Sequence, residues 1–297
     1  MNNFSLNKYH TYIFFSMSII FSFFNFNLDL EYNSIICFFL ISTIGVSHGA
    51  LDHEKGKRII KLFRLKKIEL FYLAYVSLSL LIIFLWTIAP IITLIIFLIV
   101  ASYHFGKEDS VFGEIKYNHF LSILFFLKGS IIVLAPLYFS QKETFEIFKI
   151  LNVNIKTINL DLLLALILLS LFSNFLLKKN TLIHSIDTLS IIIINWVFSP
   201  LVAFTIYFCF LHSIRHSFSL IYEINKNNFK KGSSLFIKKA LPLTAITGLM
   251  FLVSLYVLNN YFLLSSAILK VIFIGLASLT FPHILLEYLL EKNEKKS

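Results

Sequence analysis

Inside a long apolar run in the C-terminal half of the chain stand His212, Ser213, Ile214, Arg215 and His216. On an α-helix, residues four apart project from one face one turn apart, so His212 and His216 present two imidazoles side by side, a metal-ligand spacing. An ionisable side chain in a membrane segment costs about 2.5 kcal/mol or more on insertion, which marks it as functional and in want of a partner. Partners of the same chemistry occur in similar settings. They are His48 in Gly45-Val46-Ser47-His48-Gly49-Ala50-Leu51-Asp52-His53, His104 in Tyr103-His104-Phe105-Gly106, and His283 in Phe281-Pro282-His283-Ile284-Leu285-Leu286-Glu287-Tyr288. Any one such histidine is as readily a helix-packing residue bonded to a carbonyl. Four together, one pair at i,i+4, read better as a shared metal site of His48, His104, His212 and His216, with His283 open between ligand and outer donor.

Imidazoles suit iron, zinc, copper or nickel, and no carboxylate-rich cage points to calcium or magnesium. A neutral all-histidine site leaves Fe(II) its full charge and open positions for dioxygen, while zinc stays open on ligand type alone. Acidic neighbours are candidates to fix the ring tautomers from behind. Asp52 is i+4 from His48 and shares its face if the helix persists, whereas His53 points away from it. Asp109, Glu108 and Glu287 are further candidates, although charges at a helix end are the preferred reading of Glu108 and Asp109. Arg215 reads as paired with a carboxylate or placed at a membrane interface, and His10, His119 and His184 read as solvated residues at span boundaries.

The elements that position these residues are membrane helices. The chain has 297 residues, 58% of them hydrophobic and only 14% charged, with a mean hydropathy of +0.82; a soluble protein carries about 25% charged residues. We expect one integral-membrane domain over residues 1–297. The net charge of +10 does not indicate nucleic acid, because the lysines fall in short clusters between apolar runs, as the positive-inside rule places them. Cys37 and Cys209 lie in apolar runs and form no disulfide framework. The first apolar run lacks a small-residue cleavage site and reads as a retained span.

With about 20 residues per span, the runs fall at 12–26, 34–49, 70–86, 91–103, 119–139, 160–177, 183–199, 200–222, 240–258 and 262–290. The expected fold is therefore an all-α polytopic bundle of about 8–10 transmembrane helices in the cell (cytoplasmic) membrane, both termini cytoplasmic. Proline opens helices naturally, and cutting the long run at Ser199-Pro200 returns the following basic loop to the cytoplasm. A turn is expected at 29–33, a basic loop at 55–67, and a partly helical surface segment at 141–156. The candidate histidines then share one depth.

The four motifs quoted above resemble the signature set of the Brp/Blh family of bacterial and archaeal membrane β-carotene 15,15′-dioxygenases, in order and approximate spacing along nearly the whole chain. The resemblance implies central cleavage of β-carotene by dioxygen to two molecules of all-trans-retinal at a non-haem Fe(II). It carries the iron ligands onto His48, His104, His212 and His216, and implies a functional link to a microbial rhodopsin. Phe204, Tyr207, Phe208 and Phe210 are candidates to line a tunnel through which the polyene enters from lipid, although ordinary helix packing is the preferred reading of any one of them. Two other classes compete on the residues alone: a membrane di-iron desaturase or hydroxylase, and a transition-metal transporter. The first needs about eight histidines, often in adjacent pairs, where this chain has no His-His dipeptide and only five or six of its nine histidines are eligible; the second more often shows inverted repeats.

Overall fold

The computed structural model describes residues 3–23, 30–110, 118–177 and 180–294, with the side chains at 30, 31, 48 and 294 outside the description. Asp29, Lys178 and Lys179, and the side chains of Glu31 and His48, therefore lie outside the described residues. The fold is all-α, and no strand occurs among the described residues.

Six helices or helix runs are long and apolar enough to cross a membrane: α4 (Glu69–Ile88), α5 (Pro90–Glu108), α6 (His119–Phe139), the run Pro200–Ile224, α12 (Phe229–Asn259) and α13 (Leu264–Glu294). A seventh is added when the bent pair Tyr32–Gly45 and Gly49–Leu62, which meet at 40°, is counted as one span. Two shorter apolar helices complete the set, α8 (Leu160–Leu176) and α9 (Thr181–Val197). The chain is a multi-pass membrane protein.

Local chemistry sets many of the boundaries. Pro90 and Pro200 sit in the first turns of their helices, where the missing N–H costs nothing. The side chains of Asn118, Asn159 and Asn228 accept from the first free backbone N–H groups of α6, α8 and α12. The break expected before Pro200 is present.

Several boundaries differ from the sequence reading. Residues 30–33 begin α2 (Leu30–Leu40), where a turn was expected, and the basic stretch after His53 is largely a helix, α3 (Asp52–Leu62). Helix α1 (Asn3–Ser22) starts earlier than its apolar run because its polar residues are buried: the Thr11 hydroxyl donates to Asp187 on α9 at 3.0 Å. The segment expected at the surface holds α7 (Gln141–Ile150), but it folds back into the bundle, with Phe148, Leu151 and Val153 buried. The Trp86 indole donates to the Leu151 carbonyl at 3.1 Å, which gives that turn of backbone a partner in an apolar setting.

Two features fix where the histidine-bearing helices lie. Helices α5 and α6 cross at Gly106 and Gly129. A Cβ on Gly106 would stand 1.8 Å from the Phe125 carbonyl oxygen, and one on Gly129 1.9 Å from that of Ser102. Only glycine permits this approach, which seats the C-terminal end of α5 deep in the bundle. Helical winding also departs from α in two places that pack on each other, π turns at Ile41–Gly45 and Tyr207–Ser213. The Ser213 hydroxyl donates to the Gly45 carbonyl at 3.0 Å across that contact. Such π turns re-aim side chains and concentrate at functional sites. The first leads through a 3₁₀ stretch, Val46–Leu51, into α3; the second separates α10 (Pro200–Ile206) from α11 (Ile214–Ile224).

Candidate metal centre

Four elements deliver four imidazoles to one buried place. His104 comes from α5, His212 from the end of the second π turn, His216 from α11 and His283 from α13. Ring centroids lie 5.4 Å apart for His104–His212, 6.4 Å for His212–His216, 5.9 Å for His216–His283 and 5.5 Å for His104–His283. The four rings form a closed circuit, and each residue is at most 6% exposed. The 3₁₀ stretch that carries His48 runs beside it, since a Cβ on its neighbour Gly49 would stand 3.9 Å from His283 Nδ1.

Carboxylates hold three of these rings from behind. His212 Nδ1 lies 3.2 Å from Asp109 Oδ1, His216 Nδ1 3.1 Å from Glu108 Oε2, and His283 Nδ1 2.9 Å from both oxygens of Asp52. Tyrosine hydroxyls steady two of the carboxylates, Tyr207 donating to Asp109 at 2.7 Å and Tyr75 to Asp52 at 2.8 Å. A carboxylate that accepts from Nδ1–H leaves the Nε2 lone pair for a metal, a tautomer suited to a metal-binding histidine. The fourth carboxylate, Glu287, stands among the rings, with Oε2 4.0 Å from His104 Nδ1 and Oε1 3.6 Å from His283 Nε2. Lys55 Nζ meets the same Oε1 at 2.6 Å.

Several expectations require correction. Glu108 and Asp109 are not solvated charges at a helix end: Asp109 is buried, Glu108 half-buried, and these consecutive carboxylates reach His216 and His212. Asp52 meets His283 Nδ1; the expected pairing of Asp52 with His48 involves a side chain outside the described residues. His53 is turned out of the cluster and stacks on Tyr72 with ring centroids 5.7 Å apart. His119 is exposed and His10 half-buried, but His184 is buried, 3.1 Å from Lys128 Nζ. Tyr207 faces Asp109 with its hydroxyl and is no plain wall residue. Cys37 and Cys209 are buried free thiols.

Arg215 finds its carboxylate in Asp187 of α9. Its Nη1 and Nη2 meet Asp187 Oδ2 and Oδ1 at 2.8 and 3.0 Å, and Nη2 donates to the Thr11 hydroxyl at 2.9 Å. Lys128 is buried beside this pair and donates to the Asp109 carbonyl and the Ser110 hydroxyl, both at 2.9 Å. Asp187, Lys128 and Lys55 had not been singled out. The signal for the first two was the one used for the histidines, an ionisable residue in an apolar run. Lys55 was hidden in a basic cluster.

The residues present fit a transition-metal ion. Ligand atoms of His216, His283 and Glu287 lie within 4.8 Å of one another, as do those of His104, Glu108 and Glu287. His104 Nε2 is buried and makes no hydrogen bond among the described residues. Imidazole and carboxylate donors of this kind suit iron, zinc or manganese.

An all-α membrane bundle with a buried centre of histidines and carboxylates defines an integral-membrane protein equipped to hold a metal. The family model described as beta-carotene 15,15′-dioxygenase matches residues 39–291, a range that contains all four motifs. The beta-carotene 15,15′-dioxygenase of uncultured marine bacterium 66A03 is 31% identical over 258 residues, covering 83% of this chain and 90% of that one. No solved structure matches. The chain belongs to the β-carotene 15,15′-dioxygenase family and is a carotenoid-cleaving dioxygenase.

Proposed function

We propose that this protein cleaves the central 15,15′ double bond of β-carotene with dioxygen, giving two molecules of all-trans-retinal, at a non-haem Fe(II) centre in the cell membrane. The observation that carries the proposal is the family match through residues 39–291, and the histidine cluster inside that range supports it over the desaturase and transporter alternatives. Each substrate molecule takes up one dioxygen and becomes two aldehydes, with no atom left over and no net proton transfer.

His104, His212 and His216, together with His48, are the residues we assign to hold the iron. Bound there, ferrous iron supplies the dioxygen activation that amino-acid side chains lack. The chain itself does the positioning. Asp109 and Glu108 fix the rings of His212 and His216 in the tautomer that offers Nε2. An aromatic ladder leads to the cluster: Phe273 and Phe204 lie 5.7 Å apart, Phe204 stacks on Phe208 at 5.4 Å, and Phe208 stacks on His212 at 5.9 Å. Phe204 and Phe273 are half-buried and Phe208 is buried, so the ladder runs inward from partly open surface. Aromatic faces suit a flat conjugated polyene, whose apolarity brings it from the lipid phase. The retinal formed would serve a microbial rhodopsin.

The test is an assay of the purified protein in detergent with β-carotene, Fe(II) and dioxygen. Retinal alone, at two per β-carotene consumed, is the expected outcome. Paired aldehydes of unequal length would show off-centre cleavage and overturn the 15,15′ assignment.

A further inference from the structure

Four carboxylates reach the imidazole cluster, and three of them are accounted for by a hydrogen bond to a ring Nδ1. Glu287 is not. Its Oε1 stands 3.9 Å from His216 Nε2 and 3.6 Å from His283 Nε2, and its Oε2 stands 4.0 Å from His104 Nδ1. These separations exceed hydrogen-bond length. Both His216 and His283 commit their Nδ1 proton to a carboxylate, Glu108 and Asp52 respectively. Ligand atoms of Glu287, His216 and His283 nevertheless lie within 4.8 Å of one another, and a divalent cation held between a carboxylate and two imidazoles is favourable in a buried, low-dielectric place.

We propose that Glu287 is itself a ligand, with His216 and His283, of the metal ion the cluster holds; this rests on the reading above that the cluster holds a divalent metal. Sequence geometry supplies both halves. His283 and Glu287 are i,i+4 on α13 and face the i,i+4 pair of His212 and His216. Lys55 meets Oε1 from behind at 2.6 Å, which orients the carboxylate by a charge-assisted bond and offsets its charge. The centre is then not the neutral all-imidazole site that the sequence suggests. A carboxylate ligand lowers the positive charge on the metal and favours its oxidised state.

The test uses Co(II) as probe, titrated into the purified full-length protein in detergent and read by its visible d–d absorption. Glu287→Gln is expected to weaken Co(II) binding about 100-fold or more and to shift the bands of the saturated protein. Asp52→Asn, which alters only the support behind His283, weakens binding with the bands left in place. A plain salt bridge to Lys55 would behave differently: the charge-balanced double variant Lys55→Met/Glu287→Gln would regain wild-type affinity and spectrum. That recovery overturns the proposal, as does an unchanged spectrum in saturated Glu287→Gln. Should the single variant fail to fold with Lys55 uncompensated, the double variant carries the comparison by itself. Retinal assays do not enter: a wild type that takes up Co(II) and shows these shifts supports the ligand even where β-carotene is not turned over. A wild type that takes up no Co(II) overturns ligand and metal together.

Discussion

Arg215 and His216 are neighbours on α11, yet their side chains enter polar clusters of opposite construction. Around Arg215 the hydrogen bonds join unlike groups. Guanidinium meets carboxylate at 2.8 and 3.0 Å, and the Thr11 hydroxyl bridges to Asp187. Around His216 and His283 the Nε2 atoms converge on Glu287 at 3.6–3.9 Å, beyond hydrogen-bond length. The first cluster is complete as it stands and joins α1, α9 and α11. The second is rigid at its rim, where Glu108, Asp109 and Asp52 hold the rings, and electrostatically incomplete at its centre. Burial and ionisable residues alone do not separate a structural network from a reactive one; the match of donors to acceptors does.

If that distinction is right, the two clusters fail in different currencies. His216→Ala removes a proposed ligand and should lower retinal formation by about 1000-fold, equivalent to about 4 kcal/mol in the barrier, while the protein extracts and melts much as before. Retinal yield by chromatography and thermal unfolding in the same detergent check both halves. A stability loss that accounts for the lost turnover would break the comparison.

Asp187→Asn should do the reverse. It strands the Arg215 guanidinium in the bundle and should cost about 3–5 kcal/mol of stability. The paired replacement Arg215→Met/Asp187→Leu, which removes both charges of the pair together, should recover most of that loss. Thermal unfolding of the three proteins is the measurement, and equal stability of single and double variants would show that the ion pair is not what holds α9 to α11.

The fold was largely readable because each membrane run is long and apolar; the expected fifth span matches α6 at both ends. Where the reading slipped, the cause was local winding or burial that hydropathy does not encode. Asp52 was placed beside His48 on α-helical spacing, and its contact with His283 across the bundle was not foreseen. Asp109 was placed at a surface because its run ends in charges, but the glycine crossing of α5 on α6 seats that end deep in the bundle. The histidines were legible from type and setting. Glu287 was legible only as a supporting carboxylate, because its approach to His216 and His104 joins helices distant in sequence.

Asp109 tests the rim. It takes the His212 ring proton and the Tyr207 hydroxyl on separate oxygens, so Asp109→Asn keeps the shape and removes the charge. Metal affinity should fall about 10–100-fold, with a smaller loss of stability than Asp187→Asn. Calorimetric titration of Fe(II) under anaerobic conditions measures the first. Affinity unchanged within error would assign Asp109 to packing.

The smallest effect is expected at His53, and it sharpens the comparison most economically. His53 follows Asp52 directly and belongs to the same motif as His48, so proximity in sequence predicts a part in the centre. Its ring instead stacks on Tyr72, with its Nδ1 against the Tyr72 hydroxyl. That contact is partly solvent-accessible and links α3 to α4, and a contact of this kind contributes about 1 kcal/mol. His53→Gln should therefore leave Fe(II) affinity and retinal formation within about threefold of wild type and lower stability by no more than that 1 kcal/mol. Metal titration and turnover on one preparation decide it. A His53→Gln loss as large as that of Asp109→Asn would mean that motif membership, and not the direction a ring faces, determines which histidines serve the centre.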